Sequence, residues 1–163
     1  SPDLSLRIVQ SSDSRPESFC SLLKKASRFL LETWMLCISN LAFQHWVERI
    51  AQAVAERVAR GAADEGILFC WTCTGVSIAA NKVPGIRAAL VHDAETARGA
   101  RIWNHANVLA LSLRATSIPI AREILDAWFA TSFLEGEAQS EWNRTQIERI
   151  QQLEDKYRVK NVE

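Results

Sequence analysis

Two periodicities alternate along the chain. Short apolar runs occur at Leu6-Arg7-Ile8-Val9, Gly66-Ile67-Leu68-Phe69-Cys70, Ile86-Arg87-Ala88-Ala89-Leu90-Val91 and Asn107-Val108-Leu109-Ala110-Leu111, with a weaker one at Met35-Leu36-Cys37-Ile38. The last three strong runs are nearly continuous in apolar residues, the pattern of parallel strands covered on both faces. Between the runs lie segments of helical period. Residues 16–31 place Phe19, Leu22, Leu23, Ala26 and Leu30 on one stripe, and residues 47–59 repeat Val47, Ile50, Ala51, Val54, Ala55 and Val58. Further helices are expected over 74–81, 93–103 and 117–133, with Asp93 and Ser117 as N-caps. Strand and helix alternating about five times predict a single α/β domain around a parallel sheet. After Gly136 the pattern changes to a long, mostly polar helix over 138–158, with a narrow stripe of Trp142, Ile147, Ile150, Leu153 and Tyr157. So thin an apolar edge fits a partner surface, and equally fits an ordinary helix closing its own domain. The expected organisation is a domain over 1–136 with a C-terminal helical arm over 137–163.

Composition narrows the function classes. The 163 residues are 48% hydrophobic and 23% charged, enough to bury a core without disulfides or a structural metal. Lys plus Arg and Asp plus Glu are 19 each, so the broad basic field of a sequence-independent nucleic-acid or anionic-membrane binder is absent. The uncharged stretch 33–47 contains Ser39, Asn40 and Gln44 and is too short and too polar to span a bilayer. No signal-peptide pattern opens the sequence. Four cysteines in a chain this long do not read as a disulfide scaffold, which makes the cytoplasm the expected compartment.

The candidate chemistry lies at 66–81, where an apolar strand ends at Cys70, a loop carries hydroxyls and a glycine, and a small-residue helix begins. In parallel α/β sheets ligands bind at the carboxyl ends of strands. Loop N–H groups and the positive end of a helix favour anions and developing oxyanions, and the same field favours a thiolate. Three readings of Cys70-Trp71-Thr72-Cys73 stay open on the residues alone: a base or nucleophile at an oxyanion-binding loop, a dithiol redox pair, or two buried cysteines at a tight turn. A zinc site is poorly supported, because one C-x-x-C with His45, His92 and His105 scattered leaves the ligand set incomplete.

The segment Gly75-Val76-Ser77-Ile78-Ala79-Ala80-Asn81-Lys82-Val83-Pro84-Gly85-Ile86-Arg87-Ala88-Ala89-Leu90 resembles the most distinctive stretch of the type B ribose-5-phosphate isomerases, a family that includes the galactose-6-phosphate isomerase subunits. The similarity continues through Ala106-Asn107-Val108-Leu109-Ala110-Leu111 and Ala121-Arg122-Glu123-Ile124-Leu125-Asp126-Ala127-Trp128. It implies a Rossmann-like three-layer αβα sandwich with a five-stranded parallel sheet, and a homodimer, or a tetramer as the larger form, with active sites at the dimer interface. The implied reaction is metal- and cofactor-free aldose–ketose isomerisation of a small phosphorylated sugar through an enediolate. By this resemblance Cys70 is the proton-transfer base, while Thr72 and the amides of Trp71, Cys73, Thr74 and Gly75 hold the enediolate oxygens. Asp13 meets the sugar hydroxyls, Asn104 lines the pocket, Arg114 binds phosphate, and Arg144 on the arm reaches a partner's phosphate.

Departures from the family pattern give a second expectation. The common loop reads C-G-T-G-x-G, but Trp71 and Cys73 replace two of its glycines, so Cys73 either takes up a strained backbone or reshapes the loop. Ser14 stands where the family often has histidine, with Arg15 beside it as a replacement anion contact. Trp103 stands where the family has its ring-opening histidine, and His105 lies two residues on, at the pocket edge or the surface. A missing ring opener matters only for sugars that cyclise, and the rings of Trp71 and Trp103 fill space. The expected substrate is therefore a short or open-chain sugar phosphate. The alternatives are a sugar-phosphate-binding paralogue without turnover and, more remotely, a dithiol redox protein. Arg98 and Arg101 read as a solvated helix face.

Overall fold

The computed structural model describes residues 44–158, in which three strands and five α-helices alternate. In chain order they are α1 (Gln44–Ala59), β1 (Gly66–Cys70), α2 (Thr74–Ala80), β2 (Ala88–Val91), α3 (Ala94–Asn104), β3 (Val108–Ser112), α4 (Ile118–Ala130) and α5 (Glu141–Arg158), with a short 3-10 turn over Gly136–Gln139. The apolar runs at Leu6–Val9 and Met35–Ile38, the helix expected over 16–31, and the candidate residues Asp13 and Arg15 lie outside the described residues.

The described sheet is parallel, in the order β1-β3-β2. Because successive side chains on a strand point to opposite faces, β3 divides the core in two. Val108 and Ala110 join Ala51, Val54, Ala55 and Val58 of α1 and Val76 and Ala80 of α2 on one face. Leu109 and Leu111 join Ala97 and Ala100 of α3 and Ile124, Leu125 and Trp128 of α4 on the other. Helices therefore cover both faces, and all five residues of β3 are buried. Gly66 marks the tightest approach: a Cβ there would stand 2.6 Å from a methyl of Val54, so α1 packs directly on the start of β1.

Element boundaries follow identifiable local chemistry. Asp93 is the N-cap of α3 as expected, its carboxylate accepting from the Thr96 N–H at 2.7 Å and from the Thr96 hydroxyl. Those bonds hold its carboxyl below its ordinary pKa. Ser117 stands at the N-cap of α4, but its side chain makes no capping bond. β2 begins at Ala88 rather than Ile86, because the Arg87 N–H donates to Asn107 Oδ1 and Ala88 exchanges both backbone bonds with the Asn81 side chain. α4 ends at Ala130, not at 133, where the Thr131 hydroxyl turns back to the Ala127 carbonyl. The helix expected from 138 starts at Glu141. Gly136, at φ 62°, and the 3-10 turn reorient the chain first, and Asn143 donates to the Glu137 carbonyl to fix the junction.

Two further expectations are corrected here. Arg101 is not on a solvated face: it is 4% exposed and pairs with Glu65, with its ring neighbours Trp128 and Phe133 lying 4.6 and 4.5 Å from the guanidinium carbon. Burial pulls its pKa down and the Glu65 charge opposes that pull. His105 is neither at a pocket edge nor on the surface. It is buried in the left-handed conformation that caps α3, with Nε2 2.8 Å from the Ala138 carbonyl and its ring stacked on Phe133. Arg98 does remain on an exposed face, paired with Glu95.

Candidate active site

β1 and β3 are neighbours, yet α2 leaves β1 toward one face of the sheet and α4 leaves β3 toward the other. Their loops must diverge, and the crevice so formed is the position at which open parallel sheets bind ligands. Cys70 ends β1 opposite Ser112, which ends β3. Three hydrogen bonds join the two loops at the crevice floor. Leu113 N–H donates to the Cys70 carbonyl at 2.9 Å and Arg114 N–H to the Trp71 carbonyl at 3.1 Å. Ser112 Oγ donates to the same Trp71 carbonyl at 2.8 Å. The loop carrying Cys70 and the loop carrying Arg114 are thus one hydrogen-bonded unit.

Cys70 is half-buried, whereas Trp71, Thr72, Thr74, Gly75 and Arg114 are exposed along this rim. The arginine's guanidinium has no protein partner among the described residues. Cys73 takes up the strain that its place in the loop demands, at φ 60° and ψ 2°, and forms the N-cap of α2. Its side chain is fully buried and its thiol donates to the Leu68 carbonyl at 3.5 Å. Burial, and then the neighbouring Cys70 charge, push the Cys73 thiol up to about 12 from 9.0, while the N–H groups of Cys70 and Leu111 pull the other way. Cys73 therefore stays protonated at neutral pH. Both thiols are free in the structure, and a thiol so reluctant to ionise is a poor partner in disulfide exchange.

The raised value has a consequence for stability. Above pH 9 the unfolded chain releases the Cys73 proton while the folded chain keeps it, so stability falls as pH climbs from about 9 toward about 12. Urea midpoints between pH 8 and 11 are expected to drop more steeply for the native sequence than for Cys73→Ala. Parallel slopes would contradict this.

Trp103, Asn104 and Arg144 are not brought to this crevice. A helix that returns from one parallel strand to the next ends at the amino edge of the sheet, so Trp103 and Asn104, at the end of α3, lie there. Arg144 is nearby, in the first turns of α5 beyond the Ala138 contact with His105. A five-residue strand separates the two edges by on the order of 13 Å. The Trp103 indole is 53% exposed and lies over Gly99, where a Cβ would meet it at 2.6 Å. That bare patch of α3 is its seat. Sequence reasoning missed both Gly99 and Ser112. The only trace of Ser112 was a polar residue extending an apolar run into the register of Cys70.

Among the described residues there is no group of three or more His, Cys, Asp or Glu placed to hold a metal ion. None of the described helices is long and apolar enough to cross a membrane.

A parallel sheet covered by helices on both faces puts the protein in the class of Rossmann-like α/β folds. Within that class the chain belongs to the ribose/galactose isomerase family, whose model matches residues 42–146. It is 39% identical over 97 residues to ribose-5-phosphate isomerase B of Escherichia coli, covering 60% of this chain and 62% of that one. It is 43% identical over 84 residues to D-erythrulose-4-phosphate isomerase 2 of Mycolicibacterium smegmatis, covering 52% and 55%. The structure of ribose-5-phosphate isomerase B from Clostridium thermocellum superposes with a TM-score of 0.63 at 40% identity, covering 68% of this chain and 72% of that one. The chain spans between about half and two thirds of the length of these two curated relatives.

Proposed function

We propose that this protein is an aldose–ketose isomerase of phosphorylated sugars, working without cofactor in the cytoplasm as a homodimer or a tetramer of such dimers, on the five-stranded sheet its family implies. One observation carries this reading: Cys70 and Arg114 stand on two loops at the carboxyl ends of β1 and β3, and three hydrogen bonds tie those loops together. Isomerisation moves a proton between adjacent carbons through an enediolate, which needs a base, donors for the oxygen charge and a cation for the phosphate. Cys70 takes the proton from one carbon and returns it to the other. The Thr72 hydroxyl and the N–H groups around Trp71, Cys73, Thr74 and Gly75 face the enediolate oxygens, and Arg114 holds the phosphate. Asp13 and Arg15 complete the sugar and anion contacts.

The separation of Trp103, Asn104 and Arg144 from this crevice supports a composite site. A two-fold dimer that sets the amino edge of one subunit against the carboxyl edge of the other would let those three residues serve the partner's substrate. The exposed side of α5, with Trp142 66% exposed and Leu153 and Tyr157 beside it, suits that contact.

The substrate we favour is a four-carbon sugar phosphate. Trp71 and Trp103 reduce the space, no histidine is available at 103 to open a ring, and a relative at 43% identity is named for D-erythrulose 4-phosphate. Purified protein is expected to convert D-erythrulose 4-phosphate with a kcat/KM at least about tenfold above that for ribose 5-phosphate, about 1.4 kcal/mol of discrimination. A preference for the pentose would overturn the short-substrate assignment and leave the isomerase reading in place. The second reading, a sugar-phosphate binder without turnover, is favoured by the same Trp103 substitution and predicts saturable binding with no conversion.

A further inference from the structure

Ser112 is 3% exposed and ends the central strand, yet it carries a hydroxyl that the core does not need. That hydroxyl donates to the Trp71 carbonyl at 2.8 Å and accepts from the Ala115 N–H at 3.2 Å. The Trp71 carbonyl accepts a second bond from the Arg114 N–H. No peptide bond in the described residues is cis. In a trans peptide the carbonyl and the following N–H point in opposite directions. A Trp71 carbonyl anchored into the β3 loop therefore turns the Thr72 N–H away from that loop, and no acceptor meets this N–H among the described residues. Thr72 itself is exposed on the rim.

We propose that Ser112 is a positioning residue for the isomerisation: by holding the Trp71 carbonyl it aims the Thr72 N–H at the site where negative charge develops on the enediolate oxygen. This rests on the isomerase reading above. The hydroxyl acts through one backbone donor, not on the phosphate, so its removal weakens the transition state more than the ground state. The Leu113 and Arg114 backbone bonds persist without it, and the loop keeps its place while the Trp71–Thr72 peptide gains freedom to rotate.

The test compares Ser112→Ala and Ser112→Thr with the native sequence, each shown to be folded by its thermal transition. For Ser112→Ala, kcat for D-erythrulose 4-phosphate is expected to fall by about tenfold or more, with KM changed by less than about twofold. Affinity for a sugar-phosphate hydroxamate, which mimics the enediolate, should fall by the same factor as kcat, and inhibition by inorganic phosphate should not move. Ser112→Thr, which keeps the hydroxyl, should restore most of kcat. If Ser112→Ala does not fold, Ser112→Cys carries the same expectation, since a thiol is a weak donor. Unchanged kcat and hydroxamate affinity in a folded variant would overturn the inference alone, as would equal losses in phosphate and hydroxamate binding. A native protein that turns over neither tetrose nor pentose phosphates would overturn the isomerase reading and, with it, the role given to Ser112.

Discussion

Cys70→Ala is expected to lower isomerase turnover by at least about 10²–10⁴-fold, the usual contribution of a positioned general base. The structure makes the variant a clean test. The Cys70 backbone is held by the Leu113 N–H and by its register with Ser112, neither of which involves the thiol. The side chain is only half-buried, so its removal leaves the fold near its native stability. Binding of inorganic phosphate should persist, because Arg114 enters from the other loop. Cys73 does not substitute, since its thiol is buried, bonded to Leu68 and protonated. Residual activity above about a tenth of native in Cys70→Ala would move the base to another group.

The largest expected effect on stability lies at the opposite edge of the sheet. Arg101→Ala should cost the fold about 3–5 kcal/mol, the range for removing one partner of a buried ion pair. Its guanidinium pairs with Glu65, donates to the Ala106 carbonyl at 2.7 Å and the Thr131 carbonyl at 3.0 Å, and packs on the Trp128 and Phe133 rings. Glu65 also accepts from Trp128 Nε1 at 2.6 Å. Truncating Arg101 leaves that carboxylate without its cation and frees the 131–139 connector that leads to α5. Because domains are stable by only about 5–15 kcal/mol, a urea titration should show the loss directly. Arg101→Met combined with Glu65→Gln should recover part of it by removing the stranded charge. A loss below about 1 kcal/mol in Arg101→Ala would mean that the pair is solvated rather than structural.

What was legible in the sequence depended on the range of the interaction that decides it. β1 matches its apolar run from Gly66 to Cys70, and the Asp93 cap is a bond between residues three apart. The strain at Cys73 follows from a side chain placed where the loop needs positive φ. By contrast, Glu65 and Arg101 are 36 positions apart, and nothing near either one distinguishes a buried pair from a helix surface. His105 read as a pocket-edge or surface residue because its neighbours in sequence are Trp103 and Asn104, but its partner is Ala138, 33 residues on. The division of the candidate site between two sheet edges follows from strand polarity, which puts the end of α3 opposite the end of β1. Ser112 became visible only when the register paired it with Cys70.

If Cys70 and Arg114 move a carbon-bound proton of a sugar phosphate, exchange in deuterated water should reveal it. Native protein is incubated with D-erythrulose 4-phosphate, and separately with ribose 5-phosphate, and the carbon-bound protons are followed by NMR. Aldose–ketose conversion is expected, with deuterium entering at the carbon beside the carbonyl, and both should be lost in Cys70→Ala. Saturable binding of these sugars with neither conversion nor exchange would contradict this expectation.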